Sequence, residues 1–260
     1  MTDRYAVLQE LGLTPVWRRR ATAPGTMVAT AAIVPPAATE VAMTYVADAV
    51  TALVPERSAR IAALEWSEIP ADVAACTACE LCKTRQRTVP GVGDARAEWM
   101  FVGEAPGAEE DAKGEPFVGQ AGKLLDNMLL ALGMRRTKQV YIANVLKCRP
   151  PNNRAPTAQE SDACRHYLDR QIALIRPRII VALGRSAAAT LLSVDATIAS
   201  LRGRVHRYRG VPLVVTYHPA YLLRTLPDKA KAWEDLCLAR ATLRALPLDD
   251  SLQSAATVAN

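Results

Sequence analysis

Four short runs of apolar, β-rich residues divide the second part of the chain. They are Glu98–Gly103, Val140–Leu146, Arg178–Leu183 and Pro212–Tyr217. Continuous apolar runs of this length are typical of strands that are buried on both faces. Helical patterns lie between these runs and after the last of them, over Gly122–Leu132, Thr157–Ile175, Ser186–Leu192 and Lys229–Leu246. The alternation of strands and helices predicts an α/β domain with a parallel sheet sandwiched by helices.

The first 69 residues have a different pattern. A short amphipathic helix is predicted within the first 20 residues, where Leu8, Leu11 and Leu13 lie among polar neighbours. Residues 21–39 contain no charge and three prolines, which predicts a flexible linker. We expect one or two helices over residues 40–69. The predicted organisation is therefore an N-terminal extension (1–69), a globular domain (70–247) and a polar tail (248–260).

Composition and charge narrow the cellular context. Half of the 260 residues are hydrophobic, yet no uninterrupted apolar run reaches the length of about 18 that predicts a membrane span. Acidic residues lie where a secretory signal would be basic and then apolar, so we expect a cytoplasmic, non-membrane protein. The net charge is −1 over residues 1–69 and +7 over the rest. A basic domain of this kind fits a polyanionic partner such as nucleic acid.

Candidate ligand-binding residues lie in the loops that follow the four predicted strands. Open α/β sheets bind ligands beyond the carboxyl ends of their strands. The loops are Gly103–Phe117, Leu146–Pro156, Gly184–Ser186 and His218–Arg224. The first is long, rich in glycine and acidic residues, and loops of that kind are usually functional. His218 is one of only three histidines and directly follows a strand, which favours a functional role over a structural one.

The six cysteines indicate metal or redox chemistry more than disulfides, because disulfides are rare in the cytoplasm. Cys76-Thr-Ala-Cys79 is a closely spaced C-x₂-C pair that precedes the predicted sheet. On its own the motif is equally compatible with half of a zinc site, a redox pair or chance.

Several strings together resemble one family. GEAPG followed by FVGQAG, then NVLKCRPP and HPAYLLR, are similar to the motifs of the family-4 uracil-DNA glycosylases, the iron–sulfur members of the uracil-DNA glycosylase superfamily. The resemblance covers roughly residues 70–247. It implies a three-layer α/β/α sandwich with a four-stranded parallel sheet. It also implies a DNA repair enzyme that hydrolyses the N-glycosidic bond of uracil, releasing free uracil and leaving an abasic site.

The resemblance also implies a [4Fe–4S] cluster. Its ligands at the matching positions would be Cys76, Cys79, Cys148 and Cys164. Four thiolates suit zinc equally well on ligand count alone, so only the resemblance favours iron. Cys82 and Cys237 would not be ligands, and Cys237 is expected in the core. We expect the cluster to have a structural role, since base excision needs no electron.

The same resemblance assigns the substrate residues. Phe117 would stack on the flipped uracil, Asn144 would read its edge, and His218 would stabilise the negative charge that develops at uracil O2. Backbone N–H groups near Glu104 and Ala105 would add to this. Two roles are open in this family: Glu110 is our candidate for excluding thymine, and Glu104 our candidate for assisting water or the sugar cation. Solvated loop acids are the alternative for both.

DNA contacts are expected from the loops around this site. The predicted phosphate contacts are Lys147, Arg149, Arg154 and Arg224. Leu222 and Leu223 are candidates for an apolar wedge in the base stack, with core packing as the alternative. We expect a monomer that acts on single- or double-stranded DNA containing uracil. The alternatives are a non-catalytic DNA-binding or scaffold protein of the same fold, and a glycosylase specific for another deaminated base.

The N-terminal extension carries a second resemblance. The string LQELGLTPVWRRR is similar to the N-terminal peptide of the psi subunit of the bacterial DNA polymerase III clamp loader. This implies that residues 1–20 dock on a clamp-loader or other replication protein. A disordered tail, or a helix packed on the enzyme's own surface, is the alternative.

Overall fold

The computed structural model describes residues 56–247. Its centre is one six-stranded sheet with the strand order β1-β3-β2-β4-β6-β5. The strands are β1 (Val92–Gly93), β2 (Trp99–Gly103), β3 (Val140–Asn144), β4 (Ile179–Leu183), β5 (Val205–Tyr208) and β6 (Val211–Thr216). The four central strands are parallel, and β1 and β5 pair antiparallel at the two edges. The carboxyl ends of the central strands therefore share one edge of the sheet.

Helices cover both faces of this sheet. They are α1 (Ile69–Ala75), α2 (Ala108–Lys113), α3 (Gln120–Ala131), α4 (Ala158–Ile175), α5 (Arg185–Leu192), α6 (Ile198–Leu201), α7 (Pro219–Leu222) and α8 (Asp228–Ala245). One apolar cluster joins α4, α5 and α6 to one face of the sheet, and a second joins α3 and α8 to the other. Successive strand residues point to opposite faces, so the central strands, which are covered on both faces, are almost entirely apolar.

The predicted three-layer architecture is confirmed. Each of the four predicted strands and four long helices is present within two residues of its predicted bounds. The edge strands β1 and β5 and the short helices α1, α2, α6 and α7 were not predicted. Within residues 56–247, no helix combines the length and apolar character needed to cross a membrane.

The last part of the predicted extension packs on the domain. Residues 56–63 are helical, and Ile61 is fully buried against Ile69, Val73 and Tyr167. Burying this apolar side chain stabilises the contact by roughly 1.5–3 kcal/mol. The predicted helix of residues 1–20, the linker of residues 21–39 and the tail of residues 248–260 lie outside the described residues.

Candidate active site

A cavity of about 510 Å³ opens beyond the carboxyl ends of β2, β3 and β6, within the size range of small-ligand sites. We call it the base pocket. All six residues predicted to contact the base line it: Glu104, Ala105, Glu110, Phe117, Asn144 and His218. Two predicted phosphate contacts, Arg154 and Arg224, line it as well. A larger groove of about 700 Å³, between residues 56–63 and α4, contains none of the predicted site residues.

Asn144 lies at the end of β3, directly opposite Gly103 at the end of β2. Its side chain is buried, and its Oδ1 has no hydrogen-bond partner among the described residues. A buried polar atom without a partner is costly and is usually explained by a ligand or water. Gly103 is required here, because a Cβ at this position would collide with Asn144 Oδ1 and with the Phe117 ring. The pocket therefore presents an amide that is available to a ligand.

Phe117 is held in an unusual backbone conformation beside the pocket. Its φ of 55° lies in the left-handed region, which non-glycine residues rarely adopt. Arg136 stabilises this conformation: its guanidinium donates hydrogen bonds to the carbonyls of Phe117 and, at 2.9 Å, of Pro116. The ring is 5% exposed and lies 5.5 Å from the His218 ring, centroid to centroid. Arg136 is a site residue that sequence reasoning missed, because nothing local in the sequence links it to Phe117.

Glu110 connects the two loops that build the pocket wall. Its Oε1 accepts hydrogen bonds from the backbone N–H groups of Val118 at 2.9 Å and Gly119 at 3.2 Å. Its Oε2 accepts from the N–H of Gly107 at 3.1 Å. Both carboxylate oxygens are therefore engaged in holding the loop that carries Phe117. The predicted role of Glu110 in excluding thymine stays a prediction.

Glu104 follows β2 directly and is half-buried. Burial raises the pKa of its carboxyl above the ordinary value, and a hydrogen bond with Ser186 partly opposes this shift. A carboxylate with a raised pKa is a better proton acceptor near neutral pH. Ser186 lies in the predicted ligand loop after β4, yet no role was predicted for it.

His218 caps the short helix α7. Its Nδ1 accepts a hydrogen bond from the backbone N–H of Ala220 at 3.1 Å, so in the neutral ring the proton is on Nε2. Burial lowers the pKa of His218 to about 4, which keeps the ring neutral at pH 7. Gly184, with a φ of +93°, leaves room for this ring, since a Cβ there would lie 2.9 Å from the His218 Cβ. The result is a neutral imidazole with one available N–H donor.

The predicted DNA contacts divide into exposed and buried residues. Lys147 is 1% exposed and Leu222 is 1% exposed, so the predicted phosphate contact of Lys147 is wrong, and for Leu222 the core-packing alternative holds. Leu222 packs against Tyr217 and Ala232 instead. Leu223 is 42% exposed and Arg224 is also exposed, so both can reach a ligand. Leu222, the last residue of α7, is therefore in the core, whereas Leu223, the next residue, is at the surface.

Arg154 and Arg149 have partners within the protein. Arg154 forms a two-pronged ion pair with Glu160, at 2.6 and 2.8 Å, and this pairing lowers the pKa of the Glu160 carboxyl to about 2. Arg149 Nε donates to Asn153 Oδ1 at 2.7 Å. Their predicted contacts with phosphate stay predictions, because both side chains keep some exposure.

Five cysteines line one small cavity, which we call the cysteine cavity. They are Cys76, Cys79, Cys82, Cys148 and Cys164. Burial raises the pKa of the Cys148 thiol, and it raises the pKa of Cys164 to about 12. Cys237 lies on α8 and does not line this cavity; it is half-buried rather than in the core as predicted. The topology thus brings together cysteines separated by more than 80 residues of chain.

Four of these sulfurs accept N–H hydrogen bonds. Arg57 Nη2 lies 3.5 Å from Cys76 Sγ, Arg85 Nη1 lies 3.1 Å from Cys148 Sγ, and the Lys147 N–H lies 3.3 Å from Cys164 Sγ. The Leu81 N–H hydrogen bonds to Cys79. None of these four hydrogen bonds ends at the sulfur of Cys82. Such N–H bonds stabilise negatively charged sulfur, so the four predicted ligands are distinguished from Cys82.

Comparison with known proteins agrees with this geometry. Residues 90–237 match the family model of the uracil DNA glycosylase superfamily. A type-4 uracil-DNA glycosylase of Archaeoglobus fulgidus is 49% identical over 164 residues, which is 60% of this chain and 82% of that protein. One of Thermotoga maritima is 46% identical over 60% of this chain and 82% of that protein. A type-5 uracil-DNA glycosylase of Pyrobaculum aerophilum is 36% identical over 52% of this chain and 67% of that protein. The chain therefore belongs to the uracil DNA glycosylase superfamily and, within it, to the type-4 uracil-DNA glycosylases.

Proposed function

We propose that this protein removes uracil from DNA by hydrolysing the bond between uracil N1 and the sugar C1′, releasing free uracil and leaving an abasic site. The main observation in support of this function is that Asn144 Oδ1 has no hydrogen-bond partner among the described residues and is buried in the pocket that also contains Phe117 and His218. A non-catalytic relative would have no need to keep all three groups in one cavity.

Asn144 provides the selectivity for uracil. Its Oδ1 accepts the N3–H of uracil, and its Nδ2 donates to O4. Cytosine presents the opposite pattern, with an acceptor at N3 and a donor at C4, so it leaves both amide groups mispaired. Phe117 offers the flipped base a stacking surface that is fixed by Arg136. A base in a duplex must be flipped out to reach such a pocket.

His218 stabilises the leaving group. As the N1–C1′ bond breaks, its electron pair remains on the uracil and negative charge develops at O2. The neutral His218 Nε2–H donates to that oxygen, and no imidazole proton must be lost or gained first. Water attacks C1′ from the opposite side, and its proton is released as the new C–O bond forms. We assign the reception of that proton to Glu104, whose pKa is raised by burial.

The exposed residues beside the pocket contact the DNA backbone and stack. Arg224 and Arg154 line the pocket and bind phosphates, with an affinity that falls as salt rises. Of the two candidate wedges, Leu223 is the one that we retain, because it is the exposed residue of the pair. We further propose that the protein is cytoplasmic and monomeric.

The cysteine cavity fits a [4Fe–4S] cluster held by Cys76, Cys79, Cys148 and Cys164. Four cysteine side chains around one cavity, with N–H donors directed at their sulfurs, are the donor set that such a cluster requires. When bound, the cluster supplies a structural cross-link between α1, the loop after β3 and α4, and no proton or electron for hydrolysis.

Asn144→Asp tests the base-reading role. A carboxylate only accepts hydrogen bonds, so it cannot donate to uracil O4, whereas it can accept from the amino group of cytosine. We expect the ratio of kcat/KM for uracil over cytosine to fall by about 10–100-fold, as one mispaired buried hydrogen bond costs about 1–3 kcal/mol. Single-turnover excision from matched oligonucleotides measures the ratio.

The matched control for this substitution is Asn152→Asp. Asn152 is exposed in the neighbouring loop and does not line the base pocket, so it tests the added charge alone. We expect its uracil selectivity to equal that of the wild-type protein. An unchanged selectivity in Asn144→Asp itself would remove the base-reading assignment.

We also propose that residues 1–20 dock on a clamp-loader protein and thereby recruit repair to replication forks. Leu8, Leu11, Leu13 and Trp17 supply an apolar stripe of the kind that anchors a helix in a groove. A peptide of residues 1–25 should capture clamp-loader subunits, and Trp17→Ala should lose that capture. If the peptide captures nothing and deletion of residues 1–39 leaves excision unchanged, the segment is an inert tail.

A further inference from the structure

Lys147 is a fully buried ammonium group that has no part in the mechanism described so far. It is 1% exposed, and lysine is almost never buried to this degree without partners. Its Nζ donates to the backbone carbonyl of Asn144 at 2.8 Å and to Gln171 Oε1 at 2.8 Å. The charge is therefore stabilised by two neutral acceptors, one of which belongs to the base-reading residue.

Gln171 makes the far end of this contact rigid. Its Nε2 donates to the carbonyl of Pro90 at 2.8 Å and to the hydroxyl of Tyr141 at 3.1 Å. Gln171 is itself 1% exposed on α4, and Tyr141 lies in the middle of β3. The Lys147 ammonium, both polar atoms of the Gln171 side chain and the Tyr141 hydroxyl all have partners, so these three side chains orient one another.

The Asn144 carbonyl lies where the β2–β3 register ends, and the backbone N–H groups of the next two residues, Val145 and Leu146, still hydrogen bond across to Gly103 and Glu104 at 2.9 and 3.0 Å. Gly103 and Asn144 are the last pair in the β2–β3 register, and the chain turns into the loop that carries Lys147 and Cys148. Asn144 must hold its amide in a defined orientation to discriminate between uracil and cytosine. A loose backbone at the strand end would weaken that discrimination.

We propose that Lys147 is a positioning residue for base reading: it fixes the Asn144 backbone, and so the Asn144 amide, from behind the pocket. The backbone N–H of the same residue contacts Cys164 Sγ at 3.3 Å, so Lys147 also connects the cysteine cavity to the base pocket. This inference rests on the proposed role of Asn144 in reading uracil. Lys147 thereby connects the loop that carries Cys148 to the residue that reads the base.

A double-mutant cycle between Lys147 and Asn144 tests the inference. Lys147→Met keeps the length and apolar stem of the side chain and removes the ammonium group. We expect it to lower single-turnover excision of uracil by about tenfold and to reduce the preference for uracil over cytosine. In an Asn144→Ala background, the same substitution should change the rate by less than about twofold, because the residue through which Lys147 acts is already truncated.

Two outcomes would overturn the inference. An equal loss in both backgrounds would mean that Lys147 acts independently of Asn144, and no loss in either would mean that it does not act at all. If Lys147→Met fails to fold, Gln171→Leu takes its place in the double-mutant cycle with Asn144→Ala. Gln171→Leu removes one hydrogen-bond acceptor of the Lys147 ammonium and leaves Lys147 itself in place. We expect the same coupling to Asn144, with a smaller loss of excision rate. Wild-type excision by Asn144→Ala would instead defeat the proposed function itself, which separates the two failures.

Discussion

His218→Ala is expected to slow uracil excision by about 10²–10³-fold, the usual cost of losing one donor to a developing oxyanion. The structure gives the reason: Nδ1 is bound to the Ala220 N–H, so Nε2 is a preorganised neutral donor in the pocket. The loss should appear in kcat, because the charge that His218 stabilises develops only as the bond breaks. Single-turnover rates at saturating enzyme measure it directly. A rate within threefold of wild type would exclude His218 from the chemistry.

His218→Ala also predicts a change in the pH dependence of stability. The pKa of His218 is about 4 in the folded protein and 6.5 in its ordinary state. Between these values the unfolded chain binds a proton that the folded protein does not, so acidification destabilises the wild type by about 1.4 kcal/mol per pH unit. The variant lacks this contribution. Its unfolding free energy, relative to wild type, should therefore rise as pH falls from 6.5 to 4, as measured by urea denaturation.

The fold was predictable because burial on both faces leaves a strong signal in the sequence. The strands β2, β3 and β4 are buried at every position, and their residues are apolar except for Asn144 at the end of β3. The edge strand β5 gave no such signal, because it combines the apolar Val205 with the polar His206 and Arg207. Two of these residues, Val205 and Arg207, are exposed. β1 has only two residues, too few for any periodicity. Edge strands are specified by their neighbour in the sheet more than by their own sequence.

The base pocket was predictable where a residue follows a strand end, and the supporting contacts were not. Asn144 and His218 lie directly at or after strand ends, where open sheets bind ligands. Lys147 lies three residues farther on in a basic string, and basic residues are usually exposed. Its burial depends on Gln171, which is 24 residues away in the chain. The spacing of residues in the sequence cannot predict a hydrogen-bond acceptor that only the folded chain brings close to Lys147.

The prediction with the largest expected effect on stability concerns the cysteine cavity. The proposed cluster would give the protein a brown colour. Serine at Cys76, Cys79, Cys148 or Cys164 should remove that colour and lower the Tm by more than about 10 °C. Bound structural metal contributes on the order of 10 kcal/mol in small domains, and each kcal/mol corresponds to about 2–4 °C in a domain of this size. Visible absorbance, iron content and calorimetry of the purified variants measure these changes.

Cys82→Ser is the decisive control, because Cys82 lines the same cavity but its sulfur receives none of the N–H hydrogen bonds described above. We expect it to keep full colour and a Tm within about 2 °C of wild type, as should Cys237→Ser on α8. If Cys82→Ser loses the cluster while Cys76→Ser retains it, Cys82 is the fourth ligand. The N–H bond from Arg57 to Cys76 would then have no role in stabilising a ligand thiolate, and residues 56–63 would contribute to this site through packing alone.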